Sequence, residues 1–515
     1  MSLLDDVSIV VTPNGYKAGE LYAVVPVPTE GAEILSQPVD LVTDFVVNSG
    51  GVIVDADTFT TSGGNVDGIK NNLLLTVGTR YELTIEGNTT SSGFTIGNTS
   101  SSGNEYGSGF GTHIFTASVN TALWLRQKTA GTTNITSFSI KEYTSADMDV
   151  TRATDATRVD ENGLIETVAA NVPRIDYTGG GCPHILAEPQ RTNLITYSED
   201  LSQWTTITGG GTASSSVTAN YGISPDGTQN ASRVQLDKGN TGFAEVFQLF
   251  TTTSGVTNTQ TMWLKSLNGT PKINFGWANT SRDTITLTTE WQRYTFTYTS
   301  GGVSNAAALT LYDVYDPTTA QSIDVLAWGS QAEEESSYPT SYIPTSGSTV
   351  TRNQDIFTRD GIGSLINSPE GSFFIEMAAI NHPPNSQLSI SLSGDSSSDR
   401  VLIYTSSAGG EWLAQFRKDS VNIVSVSKNT TITNQSKVAI SWKSGKYLMY
   451  IDGDKATNYT VGSETTSTTF EVDDLKNLQF SPNHNTSSNL FYGKVKQLQV
   501  YDTALTDVQL ASLTS

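Results

Sequence analysis

The sequence predicts an all-β protein made of several β-sandwiches with few helices, and three observations predict it. Short alternating runs dominate. Tyr81-Glu82-Leu83-Thr84-Ile85 and Tyr294-Thr295-Phe296-Thr297-Tyr298 put apolar side chains on one face and polar ones on the other. Gly, Asn, Ser and Asp clusters separate these runs and helical periodicity is nearly missing, which is the pattern of sandwiches and barrels. Only 16% of residues are Asp, Glu, Lys or Arg, against about 25% in a typical soluble chain, so Ser, Thr, Asn, Gln and Gly must supply the polar surface. At roughly 150 residues per domain, 515 residues predict three or four domains.

Residues 1–26 stand apart. Val7 to Val11 and Leu21 to Val25 read as short apolar strands around a Pro13-Asn14-Gly15 turn. A lone hairpin is marginal in water, so it is expected to dock on another surface, within an oligomer or on a neighbouring protein. Residues 27–145 and 195–346 look like two versions of one unit, joined by a connector, 146–194. Each opens on an Asp-containing turn and an aromatic (Thr43-Asp44-Phe45; Asp200 to Trp204). Each has a middle strand (Tyr81 to Ile85; Thr261 to Leu264) and closes on an apolar strand (Ile135 to Tyr143; Ile323 to Trp328).

Residues 347–515 differ. Val438 to Trp442 and Tyr447 to Ile451 are two strands around a Lys/Ser/Gly turn, and Asp452-Gly453 makes the next turn. Gly493 to Asp502 ends on an alternating strand. A short helix follows, with Thr506 and Gln509 as a capping box and Leu505 and Leu510 at the staple positions.

Several of these segments resemble known families. Thr289 to Phe296 resembles a strand of jelly-roll carbohydrate-binding modules. Asp324 to Glu333, with Tyr338 to Thr345, is similar to the closing strand of such modules in tailed-bacteriophage structural proteins. Thr151 to Thr154, Thr157 to Val159, Asn171 to Tyr177 and Glu188 to Leu194 resemble a linker of phage fibre and virion-surface proteins. Ser2 to Asp5, Val11 to Asn14 and Tyr16-Lys17 resemble a virion-attachment leader. The last 150 or so residues resemble laminin G-like, concanavalin A-like sandwiches. The resemblance thus implies tandem jelly rolls followed by a laminin G-like sandwich. No repeat of 20–25 residues marks a β-helix depolymerase.

Acids outnumber bases 51 to 29, for a net charge of -22 and a pI near 4.5. Nucleic acid and anionic membrane both need a basic footprint, so neither is an expected partner. The acidity is uneven: residues 1–150 sum to 16 acids and 6 bases (-10), 151–346 to 19 and 10 (-9), and 347–515 to 16 and 13 (-3). The last segment is near neutral, and an acidic glycan remains admissible there. The start is acidic where a secretory signal is basic, and no apolar run reaches 18 residues. Assembly in a host cytoplasm, with no membrane insertion, is the expectation.

Catalytic signals are weak. The acidic runs Glu333-Glu334-Glu335 and Asp473-Asp474 read as solvated loop charges, because neighbours in sequence do not converge on one glycosidic bond. No nucleophile elbow occurs, and a Cys182–His184 pair in an extended connector is poor geometry. One cysteine and four scattered histidines exclude cysteine-cluster and multi-histidine metal sites. Asp395, Asp399, Asp473 and Asp474 have the composition of a Ca²⁺ rim, although structural turns are the preferred reading and no cofactor is assigned.

Exposed rings are the usual sugar platforms. Trp204, Trp291, Trp328 and Trp442 read as core, whereas Trp277 (after Phe275-Gly276) and Trp412 (after Gly409-Gly410-Glu411) are the candidate glycan-binding residues. Arg152, Arg158, Arg174 and Arg191 punctuate an acidic connector. They are expected to pair with carboxylates within the fold, between domains or between subunits.

The function expected from this reading is a fibre or spike subunit on the virion surface of a tailed phage. It would attach to other virion proteins through its N-terminus and bind host-surface glycans through its sandwiches. A homotrimer is the first expectation and a dimer the second. A glycan-degrading tail enzyme and a head-fibre decoration without ligand are the alternatives.

Overall fold

The computed structural model describes residues 7–17, 20–23, 35, 37–63, 67–71, 75, 80–98, 105–117, 122–142, 148–180, 182–278, 281–380, 387–407, 410–484, 486 and 488–515. The protein is all-β, as the alternation predicts; the described residues include two short α-helices, Leu41–Asp44 and Asp507–Thr514. Two compact units are formed, one by residues 1–8 and 25–146, the other by 9–24 and 147–515.

The first unit contains a sandwich of two five-stranded antiparallel sheets. Alternation does the work: Tyr81, Leu83 and Ile85 are buried with Phe45, Phe59, Ile69, Leu125 and Phe138, while Glu82 and Thr84 on the same strand remain accessible.

In the second unit, residues 205–334 form another five-on-five sandwich, with Val234, Val246, Leu264, Phe275, Phe296 and Leu309 in its core. Counting each sandwich's ten strands from its own first, both have one sheet in the order 1-4-9-6-7 and the other in the order 2-3-10-5-8. Each is preceded by an aspartate-capped helical turn. Asp40 accepts the Val42 amide at 2.9 Å before Phe45, and Asp200 accepts the Ser202 amide at 3.1 Å before Trp204. The two sandwiches are one topology built twice.

The remaining sandwich has two larger sheets. Strands Gly493–Tyr501, Gly371–Ala379, Ser436–Lys443 and Lys446–Ile451 centre one of them. Strands Asn477–Gln479, Ser389–Ser393, Arg400–Thr405, Glu411–Lys418 and Val421–Asn429 centre the other. Phe416 of the second packs its ring 4.9 Å from Tyr447 of the first. The capping box forms: Thr506 N–H donates to Gln509 Oε1 at 2.9 Å and Gln509 N–H to Thr506 Oγ1 at 3.4 Å.

Two segments are built into this last sandwich. Connector strand Asp149–Thr151 pairs with Ile356–Arg359 at the edge of one sheet, and His184–Ala187 pairs with Gly493–Tyr501 in the other. The connector is therefore part of a folded body, not a free linker. The N-terminal hairpin, Val7–Lys17 with Glu20–Ala23, adds to the same strand Gly493–Tyr501 and buries Ile9 and Val11. This corrects the expectation that the hairpin docks on another subunit or protein. An open sheet edge in its own chain supplies the backbone partners that a lone hairpin lacks.

Candidate functional site

In the second sandwich, Ala244, Val246, Ile273, Phe275, Ala307 and Leu309 point to the core from the 1-4-9-6-7 sheet. The residues between them point the other way. Ile207, Glu245, Thr310, Asn274 and Thr284 are directly opposite one another on five successive strands, so they form one row across the outward face. An outward row should be wet, yet Glu245, Asn274 and Thr310 are buried, at 5%, 1% and 0% exposure.

Arg282 helps cover the row. Its Nη2 lies 3.3 Å from Glu245 Oε2, and its guanidinium sits 4.0 Å over the ring of Tyr315, which is itself exposed and stands edge-on to Tyr312. Burial pushes the Glu245 carboxyl above the usual range, against the pull of Arg282. Asn274 Nδ2 donates to Thr284 Oγ1 at 3.2 Å, while its buried Oδ1 accepts nothing from the described residues. Beside this row the same face carries Ala306 and Ala308, both fully buried, so the floor is small and flat. The result is a largely covered face on which a carboxylate, a hydroxyl and an amide lie in one row, with the Arg282 guanidinium against the carboxylate and Tyr312 and Tyr315 at its flank.

Candidate Trp277 belongs to strand Lys272–Ala278 of this sheet. Gly276, at φ +73°, sets a bulge that moves residue 277 opposite Ala306; the Trp277 side chain is outside the described residues. Candidate Trp412 is corrected. It is fully buried, because alternation along Glu411–Lys418 turns Trp412, Ala414 and Phe416 together into the core, and Gly410 marks only the bend before the strand. Trp204, Trp328 and Trp442 are buried as expected, and Trp291 is half-buried with its indole N–H on Ile223 O at 3.1 Å.

The row itself was missed from sequence. Glu245, Asn274 and Thr310 come from three strands far apart in the chain, and only the period-two placement of Glu245 between Ala244 and Val246 hinted at an outward polar residue.

The connector arginines pair within the chain. Arg152 meets Asp355 at 2.8 Å, Arg174 bridges Asp355 and Glu188 (2.7 Å to the latter), and Arg352 meets Glu188 at 2.7 Å. All five groups are buried. Burial alone would raise the Glu188 carboxyl, but Arg352 and Arg174 hold it down to about 2. Glu188 also accepts from the Ser341 amide and hydroxyl, so the chain of charges ties the connector to the exit of the second sandwich. Arg158 pairs with Glu166 across its own hairpin, and Arg191 approaches Glu333 at 3.6 Å.

The other sequence candidates disperse. Glu333 is buried at the end of strand Ser322–Glu334 and accepts from Thr340, which corrects its reading as a solvated loop charge. Cys182 is exposed while His184 is buried against Asp176 at 3.1 Å, so they form no pair. Of the four candidate Ca²⁺ acids, Asp399 and Asp474 share the Lys418 ammonium (3.8 and 2.6 Å) and Asp395 lies against Lys476, so lysines stand where a cation would.

No protein-family model matches the chain, and no curated protein matches it. Solved structures give partial likenesses. The CBM40 module of a Ruminococcus gnavus IT-sialidase, bound to α2,3-sialyllactose, is 16% identical, covering 29% of this chain and 84% of its own with a TM-score of 0.25. A variant of the NanB sialidase of Streptococcus pneumoniae is 15% identical, covering 31% and 26% with a TM-score of 0.24. The LG4-5 domains of the mouse laminin α1 chain are 10% identical, covering 50% and 90% with a TM-score of 0.21. Likenesses of this extent carry no weight for ligand or activity, and the sandwich architecture stands on the strand orders above.

Proposed function

We propose that the protein is a glycan-binding fibre or spike subunit of a tailed-phage virion, and that its sugar-binding face is the outward row Glu245–Thr310–Asn274 of the second sandwich. The observation that carries the glycan reading is that row: polar side chains set on the outward side of a sheet, with no partner for Asn274 Oδ1 among the described residues. Glu245 is the single carboxylate in the row and is paired to Arg282, an arrangement for recognition and not for cleaving a glycosidic bond, which takes two carboxylates. The virion reading is supported by the connector and leader motifs and by the acidic first two-thirds of the chain. Attachment to other virion proteins and homotrimeric assembly belong to this proposal.

A glycan array with the purified chain and its Asn274→Ala variant tests the glycan part. Wild type is expected to bind at least one host-surface glycan and the variant to lose about tenfold, because a buried hydrogen-bond site is left empty. Binding by neither, with the protein folded, favours a decoration without ligand. Release of reducing ends from host polysaccharide would reverse the non-enzymatic reading. Antibody labelling of virions and mass measurement at micromolar concentration test the location and the trimer.

A further inference from the structure

A second concavity lies away from the sheet face, between the connector hairpin, the second sandwich and strand Gly493–Tyr501. It is a half-open cleft of about 340 Å³, at the small end of the range for ligand sites. Ile165, Leu186, Trp263 and Tyr342 give it a largely apolar wall.

The charges around it are unequally committed. Asp176 accepts from the Val159 and Thr178 amides and faces His184 at 3.1 Å; Glu188 is held by Arg174, Arg352 and Ser341. Arg158 is spent on Glu166 and on Ile175 O. Two cations remain. Arg293 donates to Thr340 O at 2.7 Å and Thr261 Oγ1 at 2.9 Å, lies 4.4 Å over the Trp263 ring, and has a buried Nε with no partner among the described residues. Lys494 is in register with Leu186. Neither Arg293 nor Lys494 makes an ion pair with a carboxylate among the described residues. Burial of the Arg293 guanidinium outweighs the pull of Glu333 and Glu188, neither of which reaches it in an ion pair, and an anion in direct contact would relieve that cost; Lys494, half-buried, lines the same cleft.

We propose that this cleft binds a small carboxylated sugar, its carboxylate drawn to Lys494 and Arg293 and its carbon face against the apolar wall of Ile165, Leu186 and Tyr342. The site is independent of the sheet-face row and goes beyond the glycan reading given above.

Calorimetric titration of the full chain with sodium glucuronate, glucose and sodium acetate tests it. Glucuronate is expected to bind more tightly than either control. Lys494→Ala is expected to weaken glucuronate about tenfold, the worth of one charge-assisted contact, and to leave the melting temperature unchanged. Ile165→Trp, which fills the cleft, is expected to abolish binding. Equal affinity for glucuronate and glucose overturns the proposal, as does equal affinity for acetate, or an unchanged Lys494→Ala. Asn274→Ala is expected to leave the glucuronate titration untouched. A loss on the array without a loss of glucuronate, or the converse, therefore tells which of the two sites has failed.

Discussion

The first and second sandwiches share one strand order and differ in what covers their sheets. In the first, the 2-3-10-5-8 sheet keeps a wet outer face: Glu82, Thr84 and Glu86 alternate with buried Tyr81, Leu83 and Ile85. In the second, the corresponding sheet turns Ala231, Leu326 and Trp328 outward, and these bury with Tyr342 against the connector residue Ile165. Strand Ser322–Glu334 is accordingly buried on both faces, from Val325 to Glu333 without a break. The 1-4-9-6-7 sheets diverge as well. The first sandwich places Lys70 5.1 Å over the half-buried Trp124 on its outward row, where the second has Glu245, Thr310 and Asn274. One topology thus supports two surface chemistries, because the outward positions of a strand are free of the core's constraints.

Three experiments would break or sharpen this contrast. The largest effect is expected from Arg174→Ala, which leaves Asp355 and Glu188 buried without their shared cation. The second unit should lose about 3–5 kcal/mol while the first unit's transition stays in place in a calorimetric scan. An unchanged scan would mean that the arginine chain does not hold the connector. Next, Trp328→Ala should cost about 3 kcal/mol by emptying the covered outer face, whereas Ser137→Ala, on the wet face of the matching strand in the first sandwich, should stay within about 0.5 kcal/mol. Equal costs in denaturant titrations would refute the difference in covering.

The third effect is a pH dependence. Glu188 is held at about 2 in the folded chain, below its ordinary value of 4.5, so its contribution is full above pH 4.5 and is lost as pH falls towards 2. The second unit's melting temperature should fall through that window, and Glu188→Gln, already destabilised, should show a flatter decline.

Sequence patterning made much of the fold legible. Alternation marked the strands of the first sandwich, the aspartate-plus-aromatic openings became capped helical turns, and the Thr506–Gln509 box formed as spelled. Patterning misled where a rule of local context met long-range packing. Glycines beside Trp412 suggested exposure, yet period-two placement put the ring in the core. Glu333 read as one of three loop acids, but the strand runs on beneath it. The Glu245 row was illegible because its members meet only through cross-strand register, and register is fixed by pairing that no single segment encodes.

The pairing of Val7–Lys17 with Gly493–Tyr501 also sets an order of events during synthesis. The hairpin and the connector strands leave the ribosome long before the strands that complete their sheets. The first two sandwiches, whose described strands all pair within themselves, are able to close as they emerge. The last body has to wait for its final strand, with its early pieces held as unpaired edges until then. A stalled or truncated product ending before residue 493 would therefore carry two finished sandwiches and an open, association-prone remainder.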